Sequence, residues 1–130
     1  MKIESAFLCE EMTQGTNAKL QVTDLGITGV SNPDYPAPLR NPLVAIVVFE
    51  YPDLDEELKI EVGVRTGEST VVGYVLDLNP VALSARPVAM PAWHVRLVPK
   101  DQLQLPSAGA HSIVFLHDRT ELFCIPVWAM

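Results

Sequence analysis

One stretch of the chain is apolar at every position, which indicates a strand covered on both faces. Leu43–Phe49 contains seven consecutive apolar residues, mainly β-branched. This run is too short to cross a membrane, and its composition favours a strand over a helix. Pro42 precedes the run and Pro52 follows it closely, and these prolines indicate where the predicted strand begins and ends. We therefore expect the other elements to pack around this central strand.

Alternating apolar and polar positions predict a strand before the central one. Residues 2–10 predict a half-buried strand with Ile3, Phe7 and Cys9 on one face. The polar residues 11–18 include glycine and asparagine, and they predict a turn.

The apolar positions of residues 19–30 change parity after Val22, from even-numbered to odd-numbered. A single strand with a bulge near Thr23 and Asp24, relaxed by Gly26, would keep both halves facing the core. Two short strands joined by a tight turn are the alternative.

Proline placement and alternation organise the middle of the chain. Residues 31–42 contain four prolines, which exclude a helix or a central strand and favour an extended loop crossing between sheets. Residues 58–65 alternate most cleanly, and residues 72–78 follow with Val72, Tyr74, Leu76 and Leu78 at the inward positions. The two segments predict a hairpin with one polar face. Residues 80–91 are rich in proline and are expected to be irregular.

The last third of the chain predicts four more strand segments. Residues 93–97 alternate, Leu103 and Leu105 predict a short edge piece, and residues 112–117 with 122–128 predict a final hairpin. No segment predicts a helix of ordinary length. The fold class is therefore expected to be all-β, an antiparallel β-sandwich of seven or eight strands, Ig-like or jelly-roll-like.

Composition narrows the classes of partner. A chain of 130 residues is expected to form a single domain spanning residues 1–130. Hydrophobic residues make up 48%, so either the core is unusually complete or some apolar surface meets a partner. The net charge of -7, with only nine Lys and Arg residues, argues against nucleic acid and anionic membranes as partners.

The opening residues and the cysteines bear on the compartment. An acidic residue, Glu4, stands where a signal peptide would begin its apolar core, so a cytoplasmic location is expected. In a reducing compartment Cys9 and Cys124 are expected to be two buried thiols that behave as small hydrophobic side chains. Whether they pair stays open, because pairing depends on strand neighbours.

Residues that could carry chemistry are scattered. His94, His111 and His117 lack the close spacing of a cupin metal site, and we expect surface or strand-end positions for them. Residues 53–57 contain four carboxylates, but they lack the glycine and terminal glutamate of a calcium loop, which favours a solvated turn. No serine lies in a Gly-x-Ser-x-Gly motif. The sequence therefore predicts no enzyme, no catalytic residue, no cofactor and no metal.

Five short motifs spread over nearly the whole chain carry a family resemblance. They are Cys9-Glu10-Glu11, Lys19-Leu20-Gln21-Val22 followed by Gly26, Tyr35-Pro36, Leu105-Pro106 with Gly109, and Ile125-Pro126-Val127-Trp128. In this order they resemble a family of short bacterial proteins classified only as a domain of unknown function. The chain departs from that family at residues 65–68 and at His111. The resemblance implies a cytoplasmic, single-domain β-sandwich without an assigned activity.

An apolar final strand is the remaining candidate for function. Five residues are the candidate interface: Trp93, Ile125, Val127, Trp128 and Met130. An uncovered apolar edge strand invites pairing with another chain. The alternative is that this end packs under loops of its own domain.

Two hypotheses of function follow. The preferred one is a non-enzymatic binding or assembly module that acts through protein–protein contacts and self-associates through an edge strand. The other is a small metal- or sugar-binding β-sandwich that takes ligands from His94, His117, Asp118 or the acidic residues 53–57. A cupin-like enzyme is the least favoured.

Overall fold

The protein consists of strands and loops. The computed structural model describes residues 1–14, 20–23, 26–49, 58–78 and 92–130, and these contain no helix. The strands are β1 (Lys2–Leu8), β2 (Glu11–Gln14), β3 (Leu20–Thr23), β4 (Gly29–Val30), β5 (Ala37–Pro38), β6 (Leu43–Phe49), β7 (Leu58–Thr66), β8 (Ser69–Leu78), β9 (Ala92–Val98), β10 (Gln104–Leu105), β11 (Gly109–His117) and β12 (Thr120–Ala129). The predicted all-β class is confirmed.

Two larger sheets supply one shared core. The first has the order β1-β6-β9, and the second has the order β4-β12-β11-β7-β8. The short pairs β2-β3 and β5-β10 lie outside these two sheets. Buried residues of both larger sheets belong to a single apolar cluster, as expected when two sheets pack face to face. The described pairs are antiparallel except β12 with β4, which is parallel and departs from the expected antiparallel arrangement.

The strand β6 is the central strand that the sequence predicts. It lies between β1 and β9. Leu43, Ala45 and Val47 belong to the shared core, while Val44 and Val48 on the opposite face are only 2% and 4% exposed. Coverage of both faces explains why the run contains no polar residue.

A bulge changes which residues of β1 face the core. The pairing with β6 shifts between Ile3 and Ser5. Ile3 and Leu8 therefore both belong to the core, whereas Phe7 is half-buried and lies opposite Val44 on the other face. The prediction that Ile3 and Phe7 share a face is wrong, because one extra residue inverts the alternation.

Three short strands lie within residues 11–30, where the sequence predicted a turn followed by one bent strand. The strand β2 begins within the expected turn and pairs with β3, while β4 pairs with β12 in a different sheet. Between β3 and β4 the chain turns at Gly26, which has φ +80° and donates a backbone hydrogen bond to Leu8 O at 3.0 Å. Within residues 19–30 the alternative of two short strands is the one observed. Asp24, at the expected bulge, lies outside the described residues.

The two predicted hairpins form, and the turn of the second hairpin is shorter than the predicted segment 118–121. Gly67, at φ +60°, turns β7 into β8. Asp118 and Arg119 alone connect β11 to β12, both with positive φ, which is typical of a type I′ turn. Residues 31–42 lead from β4 in one sheet to β6 in the other, which confirms the predicted crossing. Residues 53–57 and 80–91 lie outside the described residues.

A second bulge turns Val72 outward. The register of β7 with β8 skips Gly73, so that Gly63 lies opposite Val72 and Val62 opposite Tyr74. Val72 is 41% exposed, which corrects the prediction of an inward position. The two strands approach closely here, since a Cβ at Gly63 would lie 2.7 Å from Val71 O.

This close approach predicts a large effect of a single methyl group. Gly63→Ala is expected to lower the free energy of unfolding by about 1–3 kcal/mol, because backbone must move to admit the Cβ. Gly29→Ala is the matched control in a strand, since its nearest atoms would lie 3.9 Å away. Urea denaturation of both variants measures the difference. Equal stability of Gly63→Ala and the unaltered protein would contradict the described packing of β7 on β8.

Candidate functional site

Exposed apolar side chains form two groups among the described residues. The first, which we call the seam patch, comprises Val71, Val72 and Val75 of β8 with Val95 and Leu97 of β9. The second, the terminal patch, comprises Trp128 and Met130. Their exposed fractions lie between 40% for Leu97 and 66% for Val71, so each patch offers apolar surface to a partner.

The seam patch lies where an edge of one larger sheet meets an edge of the other. The strand β8 is one of the two outer strands of the five-stranded sheet, and β9 is one of the two outer strands of the three-stranded sheet. A cleft of about 380 Å³ runs between them. It is lined by Tyr74, Val75, Leu76, Asp77, Val95, Arg96 and Leu97. The cleft therefore brings Val75 of one edge near Val95 and Leu97 of the other, and the charged Asp77 and Arg96 line the same cleft.

Strand register explains why these side chains face outward. Val75 lies opposite Glu61, on the outer face of the five-stranded sheet. Val95 lies opposite Ile46, on the face of the three-stranded sheet that points away from the shared core. The core cannot absorb these residues, because each alternates with an inward neighbour.

One polar atom in the seam lacks a partner. Arg96 lies opposite Ala45 in β6, and its Nε is buried with no hydrogen-bond partner among the described residues. A buried donor without an acceptor destabilises a protein by about 1–3 kcal/mol. An acceptor brought to the seam by a bound chain would remove this penalty.

The final strand divides the predicted interface residues between core and surface. Ile125 and Val127 are 8% and 2% exposed and belong to the core, so they are not available to a partner. Trp128 and Met130 are exposed at 56% and 61%. Trp93 pairs with β6 through its backbone, and its side chain lies outside the description.

The end of β12 is not a bare edge. Trp128 N donates to Thr28 O at 2.8 Å, and Met130 N donates to Val30 O at 2.9 Å. The hydroxyl of Tyr35 donates to Met130 O at 2.5 Å. The strand β4 and the loop after it therefore cover the backbone that the sequence suggested was free for pairing.

Sequence reasoning missed the seam patch. The exposure of β8 follows from its edge position and from the bulge at Gly73. The one available signal was Gly73 itself, since a glycine inside an alternating strand often marks a bulge.

His111 is a buried structural residue, which corrects the expectation of a surface or strand-end position. It is 5% exposed, and its Nε2 lies 2.7 Å from Ser107 O. Because a carbonyl oxygen only accepts, Nε2 donates, and in the neutral ring Nδ1 accepts from the Thr66 hydroxyl at 2.6 Å. His111 thereby ties β11 to the end of β7.

His117 has hydrogen-bond partners different from those of His111. His117 Nδ1 lies 3.1 Å from Lys59 O, and its Nε2 lies 3.5 Å from the Asp118 carboxylate. The side chain of His94 lies outside the description. Within the described part of the chain no group of three or more His, Cys, Asp and Glu residues is placed to hold a metal ion.

The two cysteines are free and differ in environment. Cys9 is buried, its thiol lies 3.4 Å from Pro42 O, and burial raises its pKa. Cys124 is exposed, so the prediction of two buried thiols is wrong for it. The alternation of β12 turns Cys124 outward, near an ion pair in which Arg65 hydrogen-bonds Glu121 at 3.2 Å and lowers the pKa of that carboxyl.

Comparison with known proteins leaves function to be argued from the geometry. No protein-family profile, no curated protein and no solved structure matches the chain. The resemblance to a family of unknown function stays a prediction. Within the described ranges there is no helix with the length and apolarity needed to cross a membrane.

The contrast between the thiols predicts two rates of labelling. A thiol-reactive disulfide reagent at mildly alkaline pH is expected to modify Cys124 quickly and Cys9 slowly, because burial and a raised pKa both reduce exposed thiolate. Absorbance of the released chromophore follows the reaction. Cys124→Ser should leave only the slow phase, and denaturant should then make it fast. Two equal fast phases in the folded protein would contradict the burial of Cys9.

The tie made by His111 predicts a stability effect. Thr66→Val is expected to destabilise the fold by about 1–3 kcal/mol, because it leaves a buried imidazole nitrogen without its partner. Thr13→Val is the control, since Thr13 lies exposed on β2. Thermal unfolding measures both. If the two variants melt alike, the hydrogen bond between Thr66 and His111 contributes nothing.

Proposed function

We propose that this protein is a non-enzymatic binding and assembly module that self-associates through β8. In the proposed dimer the β8 strands of two copies pair antiparallel about a two-fold axis. The observation that carries the proposal is the exposed apolar surface of an edge strand: β8 presents three exposed valines, of which Val75 shares a cleft with Val95 and Leu97 of β9.

The edge of β8 lacks several of the usual protections against pairing, although residues 102 and 103 approach it at Gly73, where a Cβ would lie 2.7 Å from Gln102 O. Proteins protect exposed edges with charges, prolines or very short strands. The strand β8 is ten residues long, and residues 69–75 contain neither a charge nor a proline. In the described part of the chain it is hydrogen-bonded to β7 alone. The bulge at Gly73 is its one irregularity, and the segment before that bulge is the most exposed part of the strand.

Charge restricts pairing between two copies to an uncharged part of the surface. The chain has a net charge of -7, so most faces of two copies repel each other. Pairing about a two-fold axis near Val71 and Val72 places uncharged residues opposite uncharged residues, with Glu68 and Asp77 at the flanks. A paired chain also brings backbone carbonyls toward the seam, and a carbonyl is the kind of acceptor that Arg96 Nε lacks.

The rest of the proposal concerns partners and location. The acidic net charge and the scarcity of Lys and Arg support a protein without nucleic-acid or anionic membrane partners. The proposed cytoplasmic location is supported by Glu4 near the start of the sequence. No observation on the described residues favours the metal- or sugar-binding alternative. His94 and residues 53–57, which would supply part of its ligands, lie outside the description.

Self-association predicts a change of mass on altering one residue. By size exclusion with light scattering, the unaltered protein is expected to have twice the 14.3 kDa mass of the chain. Val72→Glu is expected to run as a single chain, because two-fold pairing brings the new carboxylates close together in the interface. Circular dichroism should show that the variant keeps its strands, since Val72 is exposed.

Trp128→Glu is the matched control at the terminal patch. We expect it to keep the doubled mass, because the backbone edge beside Trp128 is already paired with β4. A single-chain mass for the unaltered protein would contradict self-association. A single-chain mass for Trp128→Glu alone would place the interface at the terminal patch instead of β8.

A further inference from the structure

Three adjoining clefts meet around one arginine at an end of the sandwich. Arg40 lines clefts of about 540, 430 and 280 Å³. Lys100 lines the two larger of these. The largest is lined by Glu10, Glu11, Met12, Arg40, Pro42, Leu97, Pro99 and Lys100. Its volume falls within the range of small-molecule sites.

Backbone hydrogen bonds fix the two cationic residues side by side. Leu39 N donates to Leu103 O at 2.7 Å, and Asp101 N donates to Leu39 O at 2.8 Å. Arg40 directly follows Leu39, and Lys100 directly precedes Asp101. The two positive side chains therefore leave neighbouring, hydrogen-bonded segments.

The segment that carries Glu10 and Glu11, the acidic wall of the cleft, is hydrogen-bonded to the segment that carries Arg40. Cys9 N donates to Pro42 O at 3.0 Å, and Asn41 Nδ2 donates to Cys9 O at 3.2 Å. The segment that continues to Glu11 is thus attached to the segment that carries Arg40. A site built on segments joined in this way can hold opposite charges at a set spacing.

Three of the charged side chains that line this cleft have no ion-pair partner among the described residues. Arg40, Lys100 and Glu11 are exposed, and none of them forms a described ion pair. Two of only nine cationic residues therefore converge on one cleft of an acidic protein without neutralising a carboxylate of their own. The half-buried Met12 and the 40% exposed Leu97 add an apolar surface between the two walls.

We propose that this cleft binds a free α-amino acid with an apolar side chain. Arg40 grips the ligand carboxylate through two parallel hydrogen bonds, with Lys100 as a second positive charge. The Glu11 carboxylate accepts hydrogen bonds from the ligand ammonium group. The ligand side chain lies against Met12 and Leu97. The acidic lining disfavours a dianion such as phosphate. An uncharged ligand is disfavoured because it would leave Arg40, Lys100 and Glu11 without a partner of opposite charge.

Titration calorimetry with L-leucine tests the site. The comparison ligands are N-acetyl-L-leucine, which has only the carboxylate, and L-leucinamide, which has only the ammonium group. L-leucine is expected to bind more tightly than either. Arg40→Gln is expected to weaken L-leucine binding about tenfold or more, because a charge-assisted pair is lost. Glu11→Gln should weaken L-leucine while leaving N-acetyl-L-leucine unchanged.

Arg119→Gln is the control, since Arg119 is an exposed arginine in the turn between β11 and β12. We expect it to leave binding unchanged. The proposal is overturned by no heat of binding for L-leucine, by equal affinity for all three ligands, or by equal binding in Arg40→Gln and Arg119→Gln. A carboxylate-only preference would also overturn it, and would identify an anion site. None of these outcomes depends on the mass measured for Val72→Glu, so the two proposals fail separately.

Discussion

The packing of two apolar sheet faces against each other is the constraint on which the rest of the structure depends. Leu43 of β6 and Ile60 of β7 come from different sheets, and they are 1% and 0% exposed in the same cluster. Each buried aliphatic side chain of this kind contributes about 1.5–3 kcal/mol relative to exposure. Such packing covers faces but not edges. Apolar residues at the edges, as in β8 and β9, therefore stay in contact with solvent unless another chain covers them.

The sequence predicts strands well where the alternation is unbroken. Residues 58–64 show the period of two without interruption, and β7 follows it with core residues at every second position up to Val62. The errors occur at bulges. One extra residue after Ile3 and another at Gly73 invert the facing of Phe7 and Val72. The bulge after Ile3 has no glycine to mark it and is revealed only by the pairing with β6, whereas Gly73 is a weak sequence signal for the second bulge.

The candidate surfaces were only partly predictable, for a different reason. Alternation around Ile113 and Phe115 already places His111 on the inward face of β11, so its burial was open to prediction. The same alternation along β12 buries Ile125 and Val127 and leaves Trp128 exposed. The seam patch was not open to prediction in this way. It depends on which strands are outermost, and strand order is set by long-range contacts that no local pattern contains.

The two proposed surfaces lie at the two parts of a β-sandwich that sheet packing does not cover, the strand edges and the loops at its ends. Strand edges leave backbone groups and alternate side chains exposed, and the exposed part of β8 is uncharged, which suits pairing with an identical edge. Loop ends gather residues from segments distant in sequence, and around Arg40 they gather charges of both signs. Leu97, near the end of β9, lines both the cleft between β8 and β9 and the cleft that contains Arg40 and Lys100. We therefore expect the exposed edge of β8 to suit pairing with an apolar strand, and the loop cleft around Arg40 to suit a charged ligand. The strand β9 contributes residues to both surfaces.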